Sequence, residues 1–89
     1  MRTRAGRVIV LDTWAMLAYL KEEPAAQQVR QLLRRARRRK VLVLFSLINY
    51  GECMYVIERG EGIGRAEDVA TVIDELPLLV VAADRPLEF

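Results

Sequence analysis

Two carboxylates stand where the chain could use them for chemistry. Asp12 ends an apolar run, Val8-Ile9-Val10-Leu11, and is followed by the hydroxyl of Thr13. Glu52 lies about one and a half turns into a helical stretch opened by Ser46, and Asn49, three residues earlier, shares its face. An ionisable group where a strand hands over to a helix lies at the carboxyl edge of a sheet, the edge at which open α/β folds bind ligands. Oxygen donors of this kind suit a hard divalent ion, with Asp12 and Glu52 as ligands and Thr13 and Asn49 orienting a carboxylate or a water. Gathered carboxylates stay ionised only beside a cation, so the expected cofactor is Mg²⁺ or Mn²⁺. Such an ion activates water and neutralises a phosphoryl oxygen in an in-line hydrolysis. Purely structural roles compete: Asp12 as the cap of the next helix, Glu52 as a partner of Arg59 or a partly exposed helix residue. Cys53 reads as a small buried hydrophobe, since no histidine exists to activate its thiol.

The elements that must position these residues follow from the patterning. Four apolar residues without alternation, 8–11, predict a strand covered on both faces, as in parallel sheets. Residues 41–45 and 78–82 read as two more strands. Between the first two, a short helix is predicted over 13–21, with Leu17 and Leu20 inward and Trp14 half-buried. A second runs from Pro24 to about Arg38 on a stripe of Val29, Leu32, Leu33 and Ala36. Ser46 caps a third helix that Gly60 ends, residues 60–64 form a loose connection, and a fourth helix spans about 65–76. Asp84-Arg85-Pro86 has the form of a further helix cap. The order predicts an α/β fold, three-layer α/β/α, with a parallel sheet of three strands and right-handed crossovers. The third helix is apolar nearly all round, and such a surplus face predicts a subunit interface.

Charge is divided along the chain. Residues 1–40 carry 11 Lys/Arg against 3 Asp/Glu, and residues 41–89 carry 3 against 9. Arg30, Arg34, Arg35, Arg37, Arg38, Arg39 and Lys40 crowd the end of the second helix. A helix C-terminus favours some cations, but this run exceeds what capping requires and suits a polyanion backbone. No aromatic residue is interleaved with it, so it lacks a stacking platform of its own.

At 89 residues and 53% hydrophobic, the chain reads as a single domain, 1–89, with a thin core. One cysteine and no histidine exclude a disulfide framework and the usual zinc sites. No stretch reaches the roughly 18 apolar residues needed to span a bilayer, and the expected compartment is the cytoplasm.

VIVLDTWAMLAYL, LKEEPAAQQVRQLL, and SLINYGECMYVIER followed by a helix and LPLLVVAAD resemble a PIN domain. More narrowly, they resemble the VapC-type ribonuclease toxins of toxin–antitoxin pairs. The resemblance covers almost the whole chain. It places the family's first acid on Asp12 with the hydroxyl on Thr13, and its second acid on Glu52 preceded by Asn49. It implies Mg²⁺-dependent endonucleolytic cleavage of RNA, a homodimer, and an antitoxin bound over the active site. The basic face, Arg34, Arg35, Arg37, Arg38, Arg39 and Lys40, would then contact the RNA backbone.

Two departures qualify the match. Trp14 stands where a small residue such as Ser is usual. The family domain is also half as long again, with its third and often fourth acids in a strand–helix segment beyond residue 89, so the chain reads as a truncated PIN domain. In the family the strand before Asp84 lies two places from that of Asp12, roughly 10 Å away, so Asp84 reads as an N-cap and not as a replacement for those acids. The alternative to a ribonuclease is therefore a catalytically incomplete PIN remnant that dimerises or binds RNA or an antitoxin. A third reading is a basic nucleic-acid-binding domain that works through its arginine helix.

Overall fold

The computed structural model describes residues 7–82. Its order is β1 (Val8–Leu11), α1 (Thr13–Leu20), α2 (Ala26–Arg37), β2 (Leu42–Ser46), α3 (Leu47–Glu61), α4 (Ile63–Asp74) and β3 (Leu79–Val81). The three strands form one parallel sheet in the order β1-β2-β3, with Leu11 opposite Phe45 and Phe45 opposite Val80. The chain is α/β with a parallel sheet, as its patterning predicts. Asp84 and its cap-like segment lie outside the described residues.

Both crossovers step the same way across the sheet. Connections of one handedness then place both helix pairs on the same face. The burial agrees with that rule. Leu11, Val43 and Phe45 enter one core with Met16, Leu17, Val29, Leu33, Cys53, Ile57, Val69 and Ile73. On the opposite face Val8 and Val10 are 52% and 65% exposed, and Leu42 and Leu79 are exposed with them. The expectation of strands covered on both faces therefore fails. The helical layer that would make the architecture three-layered is not found among the described residues. β1 is also an edge strand, paired only with β2 among the described residues.

Local chemistry explains most helix ends. Ser46 caps α3, its hydroxyl accepting from Asn49 N at 3.0 Å. α1 and α2 both close in the hydrogen-bond pattern of a Schellman motif, yet neither has glycine at the left-handed position. Glu22 (φ 56) and Arg39 (φ 62) occupy it instead. After α2, Lys40 N donates to Arg35 O and Arg39 N to Ala36 O, both at 2.9 Å. α2 itself starts at Ala26 rather than Pro24, and no side chain caps it.

Residues 60–64 are not a loose connection. α3 continues through Gly60 to Glu61 and α4 begins at Ile63, leaving Gly62 alone at the corner with φ 93. Only that glycine has the positive φ that breaks a helix within one residue. On α1 the inward positions Thr13, Met16 and Leu17 follow the i, i+3, i+4 rule. Trp14 falls about 100° round the helix from that stripe. It is accordingly 72% exposed, not half-buried.

Candidate active site

The end of β1 and the start of α3 meet at the sheet's carboxyl edge. Because Leu11 is in register with Phe45, Asp12 and Ser46 follow at the same level. Asp12 is exposed and caps α1, its Oδ1 accepting from Ala15 N at 2.8 Å. Capping engages one oxygen. The other has no protein donor among the described residues and faces no competing use. The structural role and a ligand role are thus compatible in one carboxylate.

Thr13 is the junction of the site. It is the one buried polar residue among those described, 5% exposed at the foot of α1. Its hydroxyl lies 2.6 Å from Glu52 Oε1, 3.2 Å from Asn49 Oδ1 and 3.5 Å from Asn49 O. A hydroxyl carries one proton, and the 2.6 Å contact has the length of a charge-assisted O–H···O⁻ bond, so the donation goes to Glu52. Asn49 Nδ2 reaches back to the carbonyl of Leu11 at 3.5 Å, tying α3 to the end of β1. Sequence patterning offers no signal for that carbonyl, since a backbone oxygen leaves no trace in residue type.

The structure therefore brings Thr13, Asn49 and Glu52 into contact and sets Asp12 one residue away. Glu52 does not pair with Arg59, which instead donates to the Tyr55 hydroxyl at 2.8 Å, its guanidinium 5.5 Å from the ring centroid. Cys53 is fully buried, and burial pushes its thiol up to about 11 against a smaller opposing pull from Lys21. It is a core residue and an inert thiol at neutral pH.

The donor set was tested against a divalent ion. All available donors are oxygens, and no group of three or more His, Cys, Asp or Glu converges among the described residues. Mg²⁺ fits that poverty better than Ca²⁺, because it keeps several waters and accepts one or two protein carboxylates plus substrate phosphate oxygens. Asp12 and Glu52, each with one oxygen hydrogen-bonded and the other without a protein donor among the described residues, are carboxylates of the kind such an ion takes.

The basic run lies elsewhere. Arg34, Arg35 and Arg37 form the last turn of α2, and Arg38, Arg39 and Lys40 lead into the start of β2. That is the amino edge of the sheet, opposite Asp12 and Glu52. All six are exposed. The one ion pair among the described residues joins Arg65 to Glu61 at 3.3 Å, so none of the six has a carboxylate partner there.

A family model described as PIN domain matches residues 9–88. No curated protein and no solved structure matches the chain. No helix among the described residues is long and apolar enough to cross a membrane.

Proposed function

The chain belongs to the PIN domain family, a nuclease-type fold family whose members generally use divalent metal ions, and from that premise we propose that it is a Mg²⁺- or Mn²⁺-dependent endoribonuclease of the VapC toxin type. The observation that carries the reading is the 2.6 Å bond from Thr13 to Glu52. It holds Glu52 against the residue that directly follows Asp12, at the carboxyl edge of the sheet where α/β folds bind ligands. Asp12 and Glu52 would hold the ion. Bound there, the ion supplies charge neutralisation at the scissile phosphate and a more acidic water. The chain's own part is positional. The N-cap bond to Ala15 orients Asp12, Thr13 donates to one oxygen of Glu52, and Asn49 ties α3 to β1. RNA would be retained through Arg34, Arg35, Arg37, Arg38, Arg39 and Lys40.

The same reading includes a homodimer, a cognate antitoxin over the site and a cytoplasmic location. The exposed apolar residues Leu47, Ile48 and Tyr55 on α3 are compatible with a protein partner. A nuclease-free preparation should cleave RNA with Mg²⁺ or Mn²⁺, and Asp12→Asn should abolish the cleavage. Absence of cleavage by the unsubstituted chain would refute the activity.

A second reading rests on the presence of only two acids at the site among the described residues. A PIN remnant that binds RNA or an antitoxin without turnover would bind Mn²⁺ far more weakly than a complete acidic cluster, which calorimetric titration measures directly. A purely basic binding domain would show affinity that falls steeply with salt and ignores Asp12 substitution.

A further inference from the structure

Resting on the ribonuclease reading, we propose that Trp14 is the stacking platform that holds a substrate base next to the acidic site. It is the most exposed of the large apolar residues described, at 72%, and it directly follows Thr13 at the carboxyl edge. The inward positions of α1 are filled by Thr13, Met16 and Leu17, so the indole supports none of the core. Among the described residues no other aromatic is free to serve. Tyr19 and Tyr50 are half-buried, and Tyr55 is engaged by Arg59.

Electrostatics at this edge point the same way. Asp12 and Glu52 repel a phosphate backbone, and the cations without a carboxylate partner among the described residues sit at the opposite edge. A substrate strand therefore needs an uncharged hold where it crosses the acids. An exposed indole provides one, since every base has a π-face, whereas a phosphate offers it nothing. The position two residues from the carboxylate that would hold the ion would set the base adjoining the scissile bond, with purines gaining most from their larger ring area. Trp14 is a positioning and specificity residue here, and the small side chain usual at this place in VapC-type toxins could not take that role.

The chain contains one tryptophan, so its emission reports on this residue alone. The whole protein, with divalent ions chelated to prevent cleavage, is titrated with short single-stranded oligoadenylate and oligouridylate. Indole emission and the anisotropy of end-labelled RNA are followed together. Saturable quenching is expected, stronger for oligoadenylate. Trp14→Ala should weaken binding about 5- to 150-fold, the range set by base–aromatic stacking, and Trp14→Phe should recover most of it. Both substitutions lie on the surface and should leave thermal unfolding nearly unchanged. RNA binding with unaltered emission, or equal affinity in Trp14→Ala, would overturn the proposal. Quenching without any metal-dependent cleavage sinks the nuclease reading and leaves the stacking. Cleavage whose KM ignores Trp14→Ala sinks the stacking and leaves the nuclease. No RNA binding at all refutes both.

Discussion

Replacing Thr13 by Val isolates the bond on which the acidic site depends. The substitution keeps the β-branched shape and removes one hydroxyl, which is 5% exposed and 2.6 Å from Glu52 Oε1. Hydrogen bonds to a charged group contribute about 1.5–3 kcal/mol. Glu52 is exposed, so water can reach its carboxylate once the hydroxyl has gone, and the loss falls at or just below the bottom of that range, about 1–1.5 kcal/mol. For a domain of this size that corresponds to a fall in Tm of roughly 5–10 °C. Urea denaturation of Thr13→Val, Glu52→Ala and the double variant closes a thermodynamic cycle. The expected coupling is about 1 kcal/mol. The same variant should weaken Mn²⁺ binding about 10- to 100-fold without abolishing it, because Thr13 orients a ligand and is not one. A coupling within about 0.3 kcal/mol of zero would show that Thr13 and Glu52 are neighbours without mutual dependence, and the site would lose its organising bond.

Three further outcomes follow from features already described. Asp12→Ala should cost about 1 kcal/mol by removing the cap on Ala15, whereas Asp12→Asn keeps a capping oxygen and should cost only a few tenths; equal losses in denaturation would exclude the capping role. The Cys53 thiol, raised from 9.0 to about 11 by burial, stays neutral longer in the folded chain than in the unfolded one. Stability is therefore complete below pH 9 and falls by up to about 2–3 kcal/mol as pH rises to 11, a slope that Cys53→Ala should flatten in urea midpoints taken across that window. The Tyr50 phenol, raised by burial and by the nearby Asp74 and Cys53 charges, adds to the fall in the same direction. Arg39→Gly should stabilise the chain by about 0.5–1 kcal/mol, since it relieves a left-handed backbone that glycine adopts freely; an unchanged or lower urea midpoint would count against strain at φ 62.

The acidic site was legible in residue type and spacing. Thr13 at the end of an apolar run meets Asn49 and Glu52, three apart on α3, as that pattern implies, and Asp12 directly precedes it in the chain. Strand number, direction and helix stripes were legible for the same reason, because period and β-branching act locally. What failed depended on how elements are arranged in space. Nothing local to Val8-Ile9-Val10-Leu11 reveals that both crossovers land on one face, so half of its side chains were expected inside and lie in solvent. Three glycines in residues 60–64 suggest a loop, yet the backbone bends only at Gly62, where φ becomes positive. Trp14 was assigned by hydrophobicity, but its angular position decided the matter: Thr13 took the inward place because Glu52 and Asn49 wait there for its hydroxyl.

The basic end of α2 and the acidic site lie at opposite ends of the strands, which gives the molecule a built-in ruler. β1 has four residues, so the two ends are separated by about 13 Å along the strand direction. A polyanion touching both must be at least that long, and an oligonucleotide shorter than the ruler can engage only one end. On the proposed function, affinity and turnover would then answer to different residues on different edges. Changes near Arg37 and Lys40 would alter how firmly a long strand is gripped, while the two carboxylates would decide what happens to it, and selection could adjust either without disturbing the other.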